Sequence, residues 1–267
     1  GIRDRQARLV GSEMCIRDSL TAEPWPVDDT RLSEDCFHKG ALRVAQPKAG
    51  YRFSIDAVLL AAFMSVRAGD RVVDLGTGCG IIALLISHRY APKMVYGVEI
   101  QPELARLARR NVRQNGMDQK IRILEGDMTS PGLLQAIQAV DAVVCNPPYR
   151  RVGSGRINPD DQRAGARHEI HITLAGLLQT AHRLLRTAGR LFLIYPASRI
   201  ADLIAEMRAH GIEPKQLRCV HSRCGDPARL VLVAGVRNGR PGLQLEAPLL
   251  IYDDNGDYST EVAAYFA

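Results

Sequence analysis

The chain has 267 residues, enough to bury a full core in one large domain, and its 46% hydrophobic and 24% charged content is that of an ordinary globular protein. Its longest clean apolar stretch, Ile55 to Met64 interrupted by Asp56, is far too short to span a bilayer, and no charged-then-apolar leader opens the chain, so the cytosol is the expected compartment. A formal net charge of +6 leans toward a polyanionic partner.

In chain order, residues 1–19 have neither helical nor strand periodicity and lack an initiator Met, and they read as a non-native or disordered tail of translated adapter or vector sequence. A Pro-rich linker, EPWPVDD, follows, and short alternating pieces from Phe37 to Gln46 predict a hairpin. Residues 20–49 are thus linker and hairpin, ahead of a main domain over 50–267. SIDAVLLAAFMSV reads as a helix with Ser54 as N-cap. After Gly69-Asp70 the rhythm changes: RVVDL is a strand, GTGCG a glycine turn, IIALLISHR a helix and MVYGVEI a second strand. QPELARLARRNVRQNG is a helix with Pro102 at its first position, Leu104, Leu107, Ala108 and Val112 at helical spacing, and Gly116 just past its end. Strand IRILEGD, a short helix near Leu133 to Ile137 and strand DAVVC complete an alternation that predicts a parallel sheet covered by helices on both faces. Further on, 171–186 and 198–210 read as helices, RLFLIY and RLVLVAGV as strands.

The six cysteines show no CxxC pairing, and Cys79 and Cys145 fall at buried element ends, so free thiols are expected. CVHSRC brings Cys219, His221 and Cys224 together but lacks a fourth ligand and the usual spacing, so no metal is expected.

In such a sheet, ligands sit beyond the carboxyl ends of the strands where strand order reverses. Asp74, Glu99, Asp127 and Asn146 each fall at or just after a predicted strand end. DLGTGCG spaces Gly76, Gly78 and Gly80 as GxGxG, which serves either close approach to a ligand or packing. Glu99 follows Gly76 by 23 positions, where a carboxylate accepts from both ribose hydroxyls of an adenosyl group or simply starts a helix. Asp127 faces the adenine amine or is a turn residue. NAD would bring a pyrophosphate to the helix N-terminus, whereas S-adenosylmethionine brings a cationic amine and a sulfonium. Asp74, directly before the turn, suits the second ligand or braces the turn.

DAVVC then runs into NPPY. Neither Pro147 nor Pro148 donates to a ladder, so the backbone from Asn146 onward is stiff. The Asn146 side-chain oxygen and the Pro147 carbonyl can hold both hydrogens of an exocyclic amine, so that its nitrogen lone pair attacks an electrophilic methyl, and Tyr149 offers a stacking face. The plain alternative is a Pro-Pro turn with an Asn cap. Between Arg150 and His168 lie Arg150, Arg151, Arg156, Arg163 and Arg167 against Asp160 and Asp161, a basic loop that orders on phosphates or is an ordinary surface loop. Lys39, Arg43, Lys48 and Arg52 are candidates to extend that patch, and His168 and His171 read as capping or phosphate-contact residues.

DLGTGCG, VEI, GDM and NPPY, in this order, resemble the class I S-adenosylmethionine-dependent amino-methyltransferases over about residues 50–236. GYRFSIDAVLLAAF, ARHEIHITLAGLL and PLLIYDDNGDYSTEVAAYF are similar to the bacterial tRNA1(Val) adenine-N6 methyltransferases. The resemblance implies an α/β, Rossmann-like fold whose seven-stranded, mostly parallel sheet ends in an antiparallel pair, with a small N-terminal extension. It implies S-adenosylmethionine held by Asp56, Asp74, Gly76, Thr77, Gly78, Gly80, Glu99, Ile100, Asp127, Met128 and Asn146, catalysis by Asn146, Pro147, Pro148 and Tyr149, and RNA contact by the loop arginines. The implied substrate is the adenine next to a tRNA anticodon; a monomer without metal is the expected state. A release-factor glutamine amide and the N2 amine of an rRNA guanine present the same two hydrogens. Those enzymes usually carry a helical recognition domain or a duplicated domain that has no room here.

Overall fold

A computed structural model of the chain describes residues 29–49, 52–137, 139–147 and 173–267. Its first strands, β1 (Leu32–Phe37) and β2 (Leu42–Pro47), pair antiparallel as a separate two-stranded sheet. The hairpin starts before Phe37 because LSEDCF places polar Ser33, Glu34 and Asp35 in a row, leaving no apolar alternation to read. Helix α1 (Ile55–Phe63) follows, with Ser54 at its N-cap in extended backbone. The Ser54 side chain makes no capping bond to the helix; its hydroxyl instead pulls the Asp56 carboxyl's pKa down against the stronger push of burial.

The alternation then runs β3 (Arg71–Leu75), α2 (Ile81–Arg89), β4 (Met94–Glu99), α3 (Pro102–Gln114), β5 (Ile121–Glu125), α4 (Pro131–Ile137) and β6 (Val140–Cys145). Helix α3 buries Leu104, Leu107, Ala108 and Val112, and Gly116 takes the left-handed φ of 63° that stops it. After residue 173 come α5 (Leu174–Leu184), β7 (Leu185–Pro196), α6 (Ile200–Ala209), β8 (Ile212–His221), β9 (Ala228–Arg237), β10 (Gln244–Leu245), β11 (Leu249–Leu250) and α7 (Thr260–Ala264). Thr173 caps α5, its hydroxyl accepting from the Gly176 N–H at 3.0 Å.

The main sheet has nine strands in the order β10-β8-β9-β7-β6-β3-β4-β5, with β11 also beside β8. Strands β7, β6, β3, β4 and β5 are parallel, and β9 runs antiparallel to both β7 and β8. The α/β, Rossmann-like class and the antiparallel end match the sequence reading. The strand count does not: the two-residue β10 and β11 add to the seven longer strands. Strand β8 escaped the sequence reading because Pro214 and the polar KQ pair interrupt its apolar pattern; Pro214 is accommodated where the register against β9 shifts.

Side chains alternate across the sheet. Val72, Val95, Ala142, Val144, Phe192 and Ile194 pack with α1, α2, α3 and the hairpin, while Val73, Leu75, Val98, Val143, Leu191 and Leu193 pack with α5 and α6. Burying each of the Val, Leu, Ile and Phe side chains among these contributes about 1.5–3 kcal/mol, and the sheet is clamped from both faces. Phe266, just beyond α7, stacks on Phe37 with centroids 5.8 Å apart, and its carbonyl accepts from the His38 N–H at 3.0 Å. Among the described residues no helix is long and apolar enough to cross a membrane.

Candidate active site

Strand order reverses at β3, which has β4 on one side and β6 on the other. Leu75 pairs with Val98 of β4 and with Cys145 of β6, so the turn after β3 emerges between Glu99 and Asn146. Asn146 is half-buried and Pro147 buried at that mouth.

Gly76, Gly78 and Gly80 have φ of 74°, 58° and 89°, a region where an L side chain is strained. The turn's amides are turned inward. The N–H groups of Gly76 and Thr77 both donate to the Val98 carbonyl at 2.9 and 3.0 Å, that of Gly80 to the Thr77 carbonyl at 2.9 Å, and that of Gly78 to Glu99 Oε2 at 2.9 Å. A pyrophosphate needs such groups free, so this is a poor dinucleotide cradle. Around Gly76 there is room: the first atom a Cβ would meet is Met128 Cε at 3.9 Å. Gly80 has less, since a Cβ there would sit 3.4 Å from that of Ala108 on α3.

Two buried acids flank the turn. Glu99 is 5% exposed and holds the Gly78 N–H on Oε2 and the Gln101 N–H on Oε1 at 3.0 Å. Burial pushes its pKa up, against the pull of those N–H groups. Asp74, 1% exposed, accepts on Oδ2 from the Thr77 hydroxyl at 2.6 Å. Burial, with the nearby Glu99 charge adding to it, pushes the Asp74 carboxyl up to about 7 although the Thr77 bond and the Ala83 amide pull it down. Its Oδ1 is buried without a hydrogen bond. An unfilled acceptor on a buried acid calls for a cation or a donor, which a cationic adenosyl ligand carries.

The fold thus gathers Asp74, Gly76, Thr77, Gly78, Glu99 and Met128 at one place, with Ile100 next along the chain. Asp127 is exposed and folds into a local turn, Oδ1 accepting from the Thr129 N–H and hydroxyl, both at 2.8 Å. Asp56 sits in the first turn of α1, where burial raises its pKa. Pro148, Tyr149, Arg150, Arg151, Arg156, Arg163 and Arg167, with His168 and His171, lie outside the described residues. Lys39, Arg43, Lys48 and Arg52 do not form one cluster: Lys39 lies in the hairpin turn and Lys48 beyond the opposite end, where it donates to the Thr30 carbonyl at 2.8 Å. Cys79 and Cys145 are buried as expected, and burial pushes the Cys79 thiol up to about 12. His221 Nδ1 lies 2.7 Å from the Asp226 carbonyl, and no group of three His, Cys, Asp or Glu among the described residues is disposed to hold a metal.

Sequence reasoning missed Gly97. A Cβ there would come within 2.7 Å of Ile123 Cδ1 and 2.9 Å of Thr77 Cγ2, so its bareness seats Thr77. A lone glycine inside the strand MVYGVEI was the available signal.

A glycine turn with inward amides, flanked by two acids at the reversal of a sheet that ends in an antiparallel pair, defines a class I methyltransferase, the S-adenosylmethionine-dependent kind. Two solved structures show the same fold: a predicted O-methyltransferase from Agrobacterium tumefaciens, with TM-score 0.64, 24% identity and coverage of 79% of this chain and 94% of that one, and the tRNA m1G37 methyltransferase of M. jannaschii, with TM-score 0.55, 15% identity and coverage of 79% and 58%. The chain belongs to the methyltransferase small domain family, whose model matches residues 52–206. It is 36% identical over 178 residues to a tRNA1(Val) (adenine(37)-N6)-methyltransferase of Porphyromonas gingivalis, covering 64% of this chain and 69% of that protein. To the protein of the same name in Tolumonas auensis it is 30% identical over 225 residues, covering 83% and 90%.

Proposed function

We propose that the chain methylates the N6 amine of an adenine in tRNA, next to the anticodon of a valine tRNA, with S-adenosylmethionine as donor. The observation that carries this reading is the β3–β6 register, Leu75 opposite Cys145, which sets Asn146 beside the glycine turn. The names of the relatives and the net charge of +6 support the RNA substrate.

In this reading Glu99 accepts from the ribose hydroxyls, and Asp74 Oδ1 takes the charge of the donor's amine. Ile100 and Met128 flank the adenosyl base, Asp127 meets its amine, and Asp56 closes the cofactor side from α1. S-adenosylmethionine supplies an electrophilic methyl on a sulfonium. The Asn146 side-chain oxygen and the Pro147 carbonyl accept the two hydrogens of the substrate amine and turn its lone pair toward that methyl. As the nitrogen–carbon bond forms, the carbon–sulfur electron pair leaves with sulfur, and the aminium nitrogen releases one proton to water. No strong base is needed; alignment supplies most of the acceleration, for which about 7–11 kcal/mol is available in well-oriented systems. Tyr149 stacks on the base, and Arg150, Arg151, Arg156, Arg163 and Arg167 meet the phosphates.

Labelled methyl transfer to separate pools of unmodified tRNA, rRNA, DNA and release-factor protein, followed by nucleoside analysis, tests the reading. The expected product is N6-methyladenosine in tRNA, confined to valine tRNA when single species are used. Label in a glutamine residue or in N2-methylguanosine overturns it.

A further inference from the structure

We infer that Asn111 is a positioning residue through which the hairpin fixes the cofactor turn. β1 and β2 form a sheet of their own, and a two-stranded hairpin is marginal alone, so the free edge of β2 needs a partner. Helix α3 provides it with side chains. Asn111 accepts from the Ala45 N–H at 3.0 Å through Oδ1 and donates from Nδ2 to the Ala45 carbonyl at 2.8 Å. One turn later, Asn115 treats Arg43 alike: Oδ1 accepts from its N–H at 2.9 Å, and Nδ2 donates to its carbonyl at 2.7 Å. Two residues of strand advance about 6.7 Å and four of helix about 6 Å, so asparagines at i and i+4 reach alternate residues, those whose N–H and carbonyl face the free strand edge.

The two amides differ in their remaining bond. Asn115 Nδ2 turns back to the carbonyl of Asn111, in its own helix, at 2.7 Å. Asn111, fully buried, donates at 2.9 Å to the carbonyl of Cys79, between Gly78 and Gly80 of the cofactor turn. Ala108 approaches the same turn beneath Gly80. From the other side of β2, buried Gln46 accepts on Oε1 from the Phe53 N–H at 3.1 Å, just ahead of α1. Hairpin, α3, the lead into α1 and the glycine turn are therefore one hydrogen-bonded unit, and Asn111 is its link to the turn.

The inference rests on the S-adenosylmethionine reading of the turn and is independent of the nucleic-acid substrate. Calorimetric titration of the full chain with S-adenosylhomocysteine, beside thermal melting of each free protein, tests it. Asn115→Ala loosens the hairpin alone, whereas Asn111→Ala loosens hairpin and turn together. Asn111→Ala is expected to raise the Kd about tenfold, and Asn115→Ala to stay within about twofold at a similar loss of Tm. Equal changes of Kd in the two variants, or a native Kd in Asn111→Ala, overturns the inference. Should Asn111→Ala fail to fold, Asn111→Thr, which keeps roughly the volume, adds no charge, loses the amide and can satisfy its hydroxyl within its own helix, is read against the same thresholds. A native chain that ignores S-adenosylhomocysteine takes down the cofactor reading and this inference together, a result distinct from either variant pattern.

Discussion

The ends of β3 and β4 carry one buried carboxylate each, and the two are finished differently. At β4 both Glu99 oxygens are held by backbone N–H groups, so the side chain is locked before any ligand arrives. At β3 Thr77 holds one Asp74 oxygen, and the other is buried without a formed hydrogen bond, with only the pull of the Ala83 amide on the carboxylate. A locked acid presents its remaining lone pairs in a fixed direction, which suits neutral hydroxyls. A half-satisfied acid is raised in energy until a cation arrives, which couples its proton to the ligand.

The widest break in this comparison lies at the third strand end. If the two acids serve binding and the end of β6 serves chemistry, Asn146→Ala will lower kcat about 10²–10³-fold while the Kd for S-adenosylhomocysteine holds. An unchanged kcat removes the clamp. Next is the locked acid: Glu99→Gln sets an amide N–H against one of the two N–H groups it now receives, and cofactor affinity should fall about 10–100-fold by calorimetry.

The unfinished acid is read through pH. The Asp74 carboxyl is raised to about 7 from the ordinary 3.8, so what it contributes to folding is fully present below about 3.8 and is lost as pH rises through about 7. Binding a cation reverses the preference and releases the proton. Affinity for S-adenosylmethionine should therefore rise about tenfold from pH 6 to pH 8, and Asp74→Asn should flatten the profile; a flat native profile would contradict the assignment. The smallest effect belongs to the support beneath both ends. Gly97→Ala pushes on Thr77 and Ile123 and should cost about 1–3 kcal/mol of stability, seen as a lower Tm with kcat at saturating cofactor nearly kept.

Much of this was legible in the chain. Helix α3 was readable from Pro102 to Gly116 because its start, stop and apolar face are all local. Asp74 and Glu99 were found because the distance along the chain from a glycine turn to the next strand end is fixed by one strand–helix–strand unit. The reading failed where a residue's meaning lies in its partner. Strand β8 is held by β9, so its interrupted pattern did not betray it, and β7 extends back to Leu185 because Leu185 pairs with Val140. Asn111 looks like any polar residue of a helix, and only the approach of Ala45 and Cys79 gives it work.

The stacking of Phe266 on Phe37 bears on how the molecule is born. A ribosome releases β1 and β2 early, yet one wall of their resting place arrives only with the segment after α7. Until then the hairpin has α3 and its two asparagines to lean on, so the glycine turn gains its brace well before that aromatic lid is made.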